Sequence, residues 1–183
     1  MNRLKIWNKN VVTLDLLYKL NTKNIHSKVF IHNFDLKSTI NTSVIEPKDI
    51  IFGLIVLELL TNQKAKVSRT RKSIAAFKIR KFIPISSKVT IRNNNLYNYL
   101  DFLVCVVLPR LPQFKELDKN SIVLSKTSLS IGLSNLNIFP QLAKESEQLP
   151  KNMGITITIN VNSNRDENEL LLLLSYFQVP ITL

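Results

Sequence analysis

From Ile155 to Val161 the sequence reads ITITINV, a strict alternation in which Ile155, Ile157, Ile159 and Val161 share one face and Thr156, Thr158 and Asn160 the other. A strand of this kind belongs in a sheet with one face covered and the other wet, which is the habit of antiparallel sheets rather than of parallel sheets buried on both faces. The pattern recurs. Lys88 to Arg92 places Val89 and Ile91 inward and Lys88, Thr90 and Arg92 outward, Ser128 to Leu133 alternates in the same way, and Lys28 to Phe34 sets Val29 and Ile31 against Lys28 and His32.

Helical patterns are interspersed irregularly among these strands. Arg3 to Leu20 carries a rough apolar stripe of Leu4, Val11, Val12, Leu14, Leu17, Tyr18 and Leu20. Pro47 to Leu60 begins with a proline suited to a first helical turn and with Asp49 at the positive end of the dipole, and its nearly all-round apolarity predicts deep burial. Asn93 or Asn94 can cap a helix whose stripe is Leu96, Leu100, Leu103 and Val107, ending at Pro109. Ser163 and Asp166 form a capping box for a last helix through Phe177, stopped by Pro180. The expected fold class is α+β, an antiparallel β-sheet with helices packed on one face. At 183 residues the chain is expected to be a single domain, 1–183, with an N-terminal helix over about 1–22 and a basic loop over about 64–82.

That loop opens the most unusual stretch, Lys64 to Arg92, which holds ten cationic side chains and no carboxylate. The other 15 Lys and Arg nearly balance the 13 Asp and Glu, so most of the formal net charge of +12 is concentrated here. A positive field this local suits a polyanion such as RNA or DNA phosphate. A charge run that is merely solvated rarely interleaves apolar side chains as Ile74, Phe77, Ile79, Phe82, Ile83 and Ile85 do here.

The residues offer little for other chemistry. With glycine only at Gly53, Gly132 and Gly154, neither a phosphate-cradling loop nor a dinucleotide fingerprint can be written. His26 and His32 have neither metal-ligand spacing nor a cysteine or carboxylate cluster, Glu145 and Glu147 read as a polar loop beside Lys144, and no nucleophile, base and orienter assemble. No catalytic residue, metal site or cofactor is expected, and the chain is not expected to be an enzyme. The lone Cys105 reads as a small buried hydrophobe. The longest apolar run, Ile50 to Leu60, contains Glu58 and falls short of the roughly 20 residues a bilayer span requires, so a soluble protein with no membrane partner is expected.

Several blocks, in order, resemble the large-subunit ribosomal protein L-five family, the universal 5S rRNA-binding proteins. They are TNQKAKVSRTRKSIAAFKIR (Thr61 to Arg80), SKVTIR (Ser87 to Arg92), LPRLPQFKELDKNS (Leu108 to Ser121), IFPQL (Ile138 to Leu142), and MGITITI with NRDENELLLLLSYFQVP between Met153 and Pro180. Three departures stand out. His32, Asn33 and Phe34 occupy the place of the family's N-M-G-type segment, so Asn33 is the candidate substitute for its asparagine; Asn62 replaces a turn glycine; and the family's G-N-Y-S-M-G loop is shortened to Leu124 to Gly132. Asn tolerates a left-handed conformation better than most residues.

The resemblance implies a structural constituent of the large ribosomal subunit, binding 5S rRNA (or its local equivalent) and large-subunit rRNA in the central protuberance. Neighbouring ribosomal proteins there and in the small-subunit head are the implied protein partners. It places RNA contacts at Gln63, Thr90 and Arg92, and Lys64, Lys66, Lys88 and Asn33 complete the candidate RNA-binding set. The family's basic loop, here roughly Val67 to Phe77, reaches peptidyl-site tRNA, with Arg69, Arg71, Lys72, Lys78 and Arg80 as the candidate contacts. The Asn-, Ile-, Lys- and Leu-rich, A+T-biased composition, together with these departures, suggests an organelle-encoded member in the mitochondrial matrix; Arg3 to Leu20 is read as a structural helix, not a targeting peptide. Two other classes compete: a free-standing RNA-binding module, which more often shows several exposed aromatics on adjacent strands, and a nucleic-acid enzyme, which needs a carboxylate or histidine cluster beside the cations.

Overall fold

The computed structural model describes residues 2–22, 24–40, 49–77, 79–111, 122–143, 149–150, 153–162 and 167–179. Pro47, Lys78, the Glu145 and Glu147 pair, the Ser163 and Asp166 capping pair and the Pro180 stop lie outside the described residues. Six strands, β1 (Phe30–Ile40), β2 (Lys66–Arg69), β3 (Pro84–Ile91), β4 (Ile122–Ser125), β5 (Ser128–Leu133) and β6 (Met153–Asn162), form one antiparallel sheet in the order β2-β3-β1-β6-β5-β4. The expected α+β class is therefore what the chain adopts. Its residues group into two compact units, Met1–Phe34 with Ile91–Ile131 and Thr158–Leu183, and Asp35–Thr90 with Gly132–Ile157.

In β6 the alternation has the predicted consequence: Ile155, Ile157, Ile159 and Val161 are buried, and Thr156, Thr158 and Asn160 only partly so. Truncating a fully buried strand residue such as Ile157 to Ala costs about 2–5 kcal/mol, through lost transfer energy and the cavity left behind. Strand β1 begins as expected, with Val29 and Ile31 buried, but continues six residues beyond Phe34. Asn33 and Phe34 are buried in succession, and the alternation changes phase there. Between β4 and β5 the Leu124 to Gly132 segment is a tight hairpin, Ser125 pairing with Ser128 around Lys126 and Thr127.

In the first unit, α1 (Arg3–Trp7) runs through a π-helical turn (Asn8–Val12) into α2 (Thr13–Lys19). The buried positions are Asn8, Val12 and Leu16, whereas Val11, Leu14 and Tyr18 of the expected stripe are exposed. Residues four apart share one helical face, and the π turn carries that spacing through Asn8, Val12 and Leu16. Helix α4 (Asn93–Phe102), extended by a π turn over Leu103–Val107, buries all of its predicted stripe. Arg92 stands at its N-cap, however, and no side chain caps the helix. Arg3 binds Asp101 of α4, and the guanidinium also donates to Cys105 Sγ at 3.3 Å. Cys105 is exposed, not a buried hydrophobe, because it faces this polar contact and not the Leu96 to Val107 stripe. Helix α5 (Glu167–Tyr176) buries Leu170, Leu173 and Leu174, and Tyr176 hydrogen-bonds Asp15 of α2.

In the second unit, α3 (Ile50–Thr61) buries Ile50, Gly53, Val56, Leu57 and Leu60. The deep all-round burial expected of it does not occur: Ile51, Phe52, Ile55 and Leu59 are exposed, because the sheet covers only one side of the helix. Gly53 is where backbone meets sheet, since a Cβ there would lie 2.9 Å from Ser87 Oγ and 3.5 Å from Ser38 Oγ.

Candidate nucleic-acid interface

The site in the second unit starts where α3 ends. Asn62 takes the left-handed conformation, φ 50° and ψ 29°, and its N–H donates to the Glu58 carbonyl at 2.8 Å. This is the C-terminal geometry usually given to glycine, and it turns the chain sharply out of the helix. Gln63 follows at once, exposed, with Nε2 donating to the Thr90 carbonyl on β3 at 3.2 Å. The Ala65 N–H is held by Glu58 Oε1 at 3.0 Å, which steers the chain into β2. Register then sets Lys66 directly opposite Lys88. Two cations facing each other repel unless an anion relieves them.

Sequence reasoning missed Asp35. It comes from β1, and it accepts from Thr90 Oγ1 at 2.6 Å and pairs with Lys88 Nζ at 3.2 Å. The outer row of β3 is thus already partly neutralised at Lys88, although Lys64 to Arg92 contains no acid of its own. Its only sequence signal was an acid directly after the Asn33 and Phe34 pair, in a strand expected to end at Phe34. Lys64 and Lys66 are exposed, and among the described residues neither has an ion-pair partner.

Beyond β2 and β3 the expected loop is a hydrogen-bonded hairpin arm. Pairing shifts between Ser68 and Arg69, so that Arg69 faces Pro84, whose missing N–H suits a ladder irregularity. Thr70 N–H then donates to the Ile83 carbonyl at 2.9 Å, Phe82 N–H to the Thr70 carbonyl at 3.1 Å, and Thr70 Oγ1 to the Arg80 carbonyl at 2.6 Å. Ile74 and Ile79 exchange both backbone hydrogen bonds, at 2.9 and 3.1 Å, below a single 3-10 turn over Ala75–Phe77. Arg69, Arg71, Lys72 and Arg80 all project into solvent from this arm, without ion-pair partners among the described residues; Lys78 lies outside those residues. The arm gathers exposed cations on a hydrogen-bonded backbone, and cations are what neutralise phosphates.

Two candidates belong to the first unit. Arg92 is exposed immediately after β3, in extended conformation with φ −138°. Asn33 is buried, 7% exposed. Phe30 is half-buried, with Lys28 Nζ 6.0 Å from its ring centroid and His32 in a T-shaped contact with it. Among the described residues no three His, Cys, Asp or Glu gather as a metal would need, and no helix is long and apolar enough to cross a membrane.

The profile for the C-terminus of the ribosomal protein L-five family matches residues 84–181. Large ribosomal subunit protein uL5m of Reclinomonas americana is 36% identical over 181 residues, covering 99% of this chain and 98% of the relative. Large ribosomal subunit protein uL5 of Buchnera aphidicola subsp. Cinara cedri (strain Cc) is 34% identical over 157 residues, covering 86% and 87%.

Proposed function

The chain belongs to the ribosomal protein L-five family, and from that premise we propose that it binds 5S rRNA, or the equivalent segment of its own large subunit, in the central protuberance and reaches peptidyl-site tRNA with its basic hairpin arm. The coarser role is that of a structural, non-enzymatic constituent of the large ribosomal subunit. The observation that carries the finer reading is the row of exposed cations, Lys64, Lys66, Arg69, Arg71, Lys72 and Arg80, on a hydrogen-bonded arm whose sequence holds no acid.

The division of labour follows from position. Gln63, Lys64, Lys66, Lys88 and Thr90 stand at the base of the arm, next to the sheet, where a rigid backbone suits a permanent rRNA contact. Arg92 adds a further exposed cation in the first unit. The outer part of the arm carries Arg69, Arg71, Lys72 and Arg80 beyond the β2–β3 ladder, where it can meet a partner that comes and goes. The neighbouring proteins of the protuberance and of the small-subunit head complete the surroundings. The name of the Reclinomonas relative and the A+T-biased composition support a mitochondrial ribosome, and an organelle-encoded chain, as the setting.

Neutralising Arg69 and Arg71 together tests this reading. Incorporation into the large subunit is expected to persist while occupancy of the peptidyl site by tRNA falls. Failure to assemble would assign the arm to rRNA, and unchanged tRNA occupancy would remove its proposed role.

A further inference from the structure

Phe82 is an aromatic residue where the fold gains nothing from one. Its φ is 68°, a left-handed conformation that is an outlier for a bulky side chain. Hydrogen bonds on both sides hold it there, from its own N–H to the Thr70 carbonyl at 3.1 Å and from Thr70 N–H to the Ile83 carbonyl at 2.9 Å. Glycine would adopt the same backbone without strain. Nor does packing compensate, since Phe82 is 65% exposed. Lys81 Nζ lies 4.9 Å from the ring centroid, so a cation sits over an otherwise open aromatic surface. A strained residue held by its surroundings points to a role outside folding.

We propose that Phe82 is a stacking platform for one unpaired RNA base, with Lys81 neutralising the adjoining phosphate. The inference deepens the RNA-binding reading above and rests on it. Charge selects the occupant. An apolar protein partner would have to desolvate the surrounding cations, whereas RNA brings both an aromatic face for the ring and a phosphate for each cation. A base inside a duplex has both faces covered by its neighbours, so the platform suits a looped or single-stranded segment.

The test compares the full chain with its Phe82→Gly and Phe82→Trp variants, using short oligo(U) and a blunt RNA duplex of the same length as probes. Phe82→Gly should melt about 2–4 °C higher, because the strain is relieved. It should bind oligo(U) about tenfold less tightly, with its salt dependence and duplex affinity unchanged. Phe82→Trp should keep oligo(U) affinity, and the fluorescence added by the substitution should be quenched on binding. Equal weakening toward strand and duplex overturns the stacking role. Wild-type affinity of Phe82→Gly for both also overturns it, leaving the ring to a protein contact while the RNA-binding reading stands. A wild-type chain that binds neither probe overturns both.

Discussion

Asp35 and Thr90 are joined at 2.6 Å, the Thr90 hydroxyl donating to the carboxylate, and the same carboxylate holds Lys88 at 3.2 Å. The β3 face proposed to meet RNA therefore carries, from β1, an anion that works against phosphate. Asp35→Asn would keep an oxygen for Thr90 and release Lys88. Affinity for single-stranded RNA is expected to rise, and log affinity against log salt to steepen by about 0.7 if one further phosphate is neutralised. A salt titration of both proteins checks this; weaker binding with an unchanged slope would show that Asp35 organises the site and does not oppose it.

Gly53 is predicted to be required by Ser87. Alanine in a helix gains about 1 kcal/mol over glycine, but its Cβ would lie 2.9 Å from Ser87 Oγ, a separation real Cβ atoms essentially never show. Overpacking of this kind costs about 1–3 kcal/mol, so Gly53→Ala should be net destabilising. Adding Ser87→Ala removes the clashing oxygen, which is buried without a hydrogen-bond partner among the described residues. Denaturant unfolding of the two single variants and the double should show the Gly53→Ala penalty vanish in the double.

Acid should loosen the N-terminal helices. The hydrogen bond from Arg3 holds the Asp101 carboxyl below its usual range, and the hydrogen bond from Tyr176 does the same for Asp15. Groups depressed on folding stabilise fully above their unfolded value of about 3.9, and that stability is lost as pH falls through the lower folded value. The effect is small, because the Arg3 and Asp101 side chains are 69% and 31% exposed and solvent screens them. Fluorescence of Trp7 followed from pH 6 downward should report loosening only below about pH 4, and Asp101→Asn should show the loosened signal already at pH 6.

Strands with alternating Ile and Thr or Val and Lys were legible because their apolar faces are all that must be buried. Residues 35–40 of β1, DLKSTI, were not, since Asp35, Lys37 and Ser38 carry little apolar signal, and only pairing with neighbouring strands makes them a strand. Exposure on α3 was hidden for the opposite reason: apolarity all round says that a helix can be buried, and only the sheet decides which side is. The cations of the arm were read directly from composition, and the left-handed turn at Asn62 followed from its place in the motif. Asp35 could not be found that way, because the charge it cancels lies 53 residues further along the chain.

The central claim, that the chain is a permanent part of the large subunit, is tested most directly by sedimentation. Cell lysate is washed at high salt, and sucrose-gradient fractions are probed for the protein. The account predicts that it remains in the large-subunit peak at one copy per subunit, because a site built on the sheet and on protein neighbours does not rest on screened charge alone. Release to the top of the gradient would contradict it and leave an RNA-binding module that merely visits the ribosome.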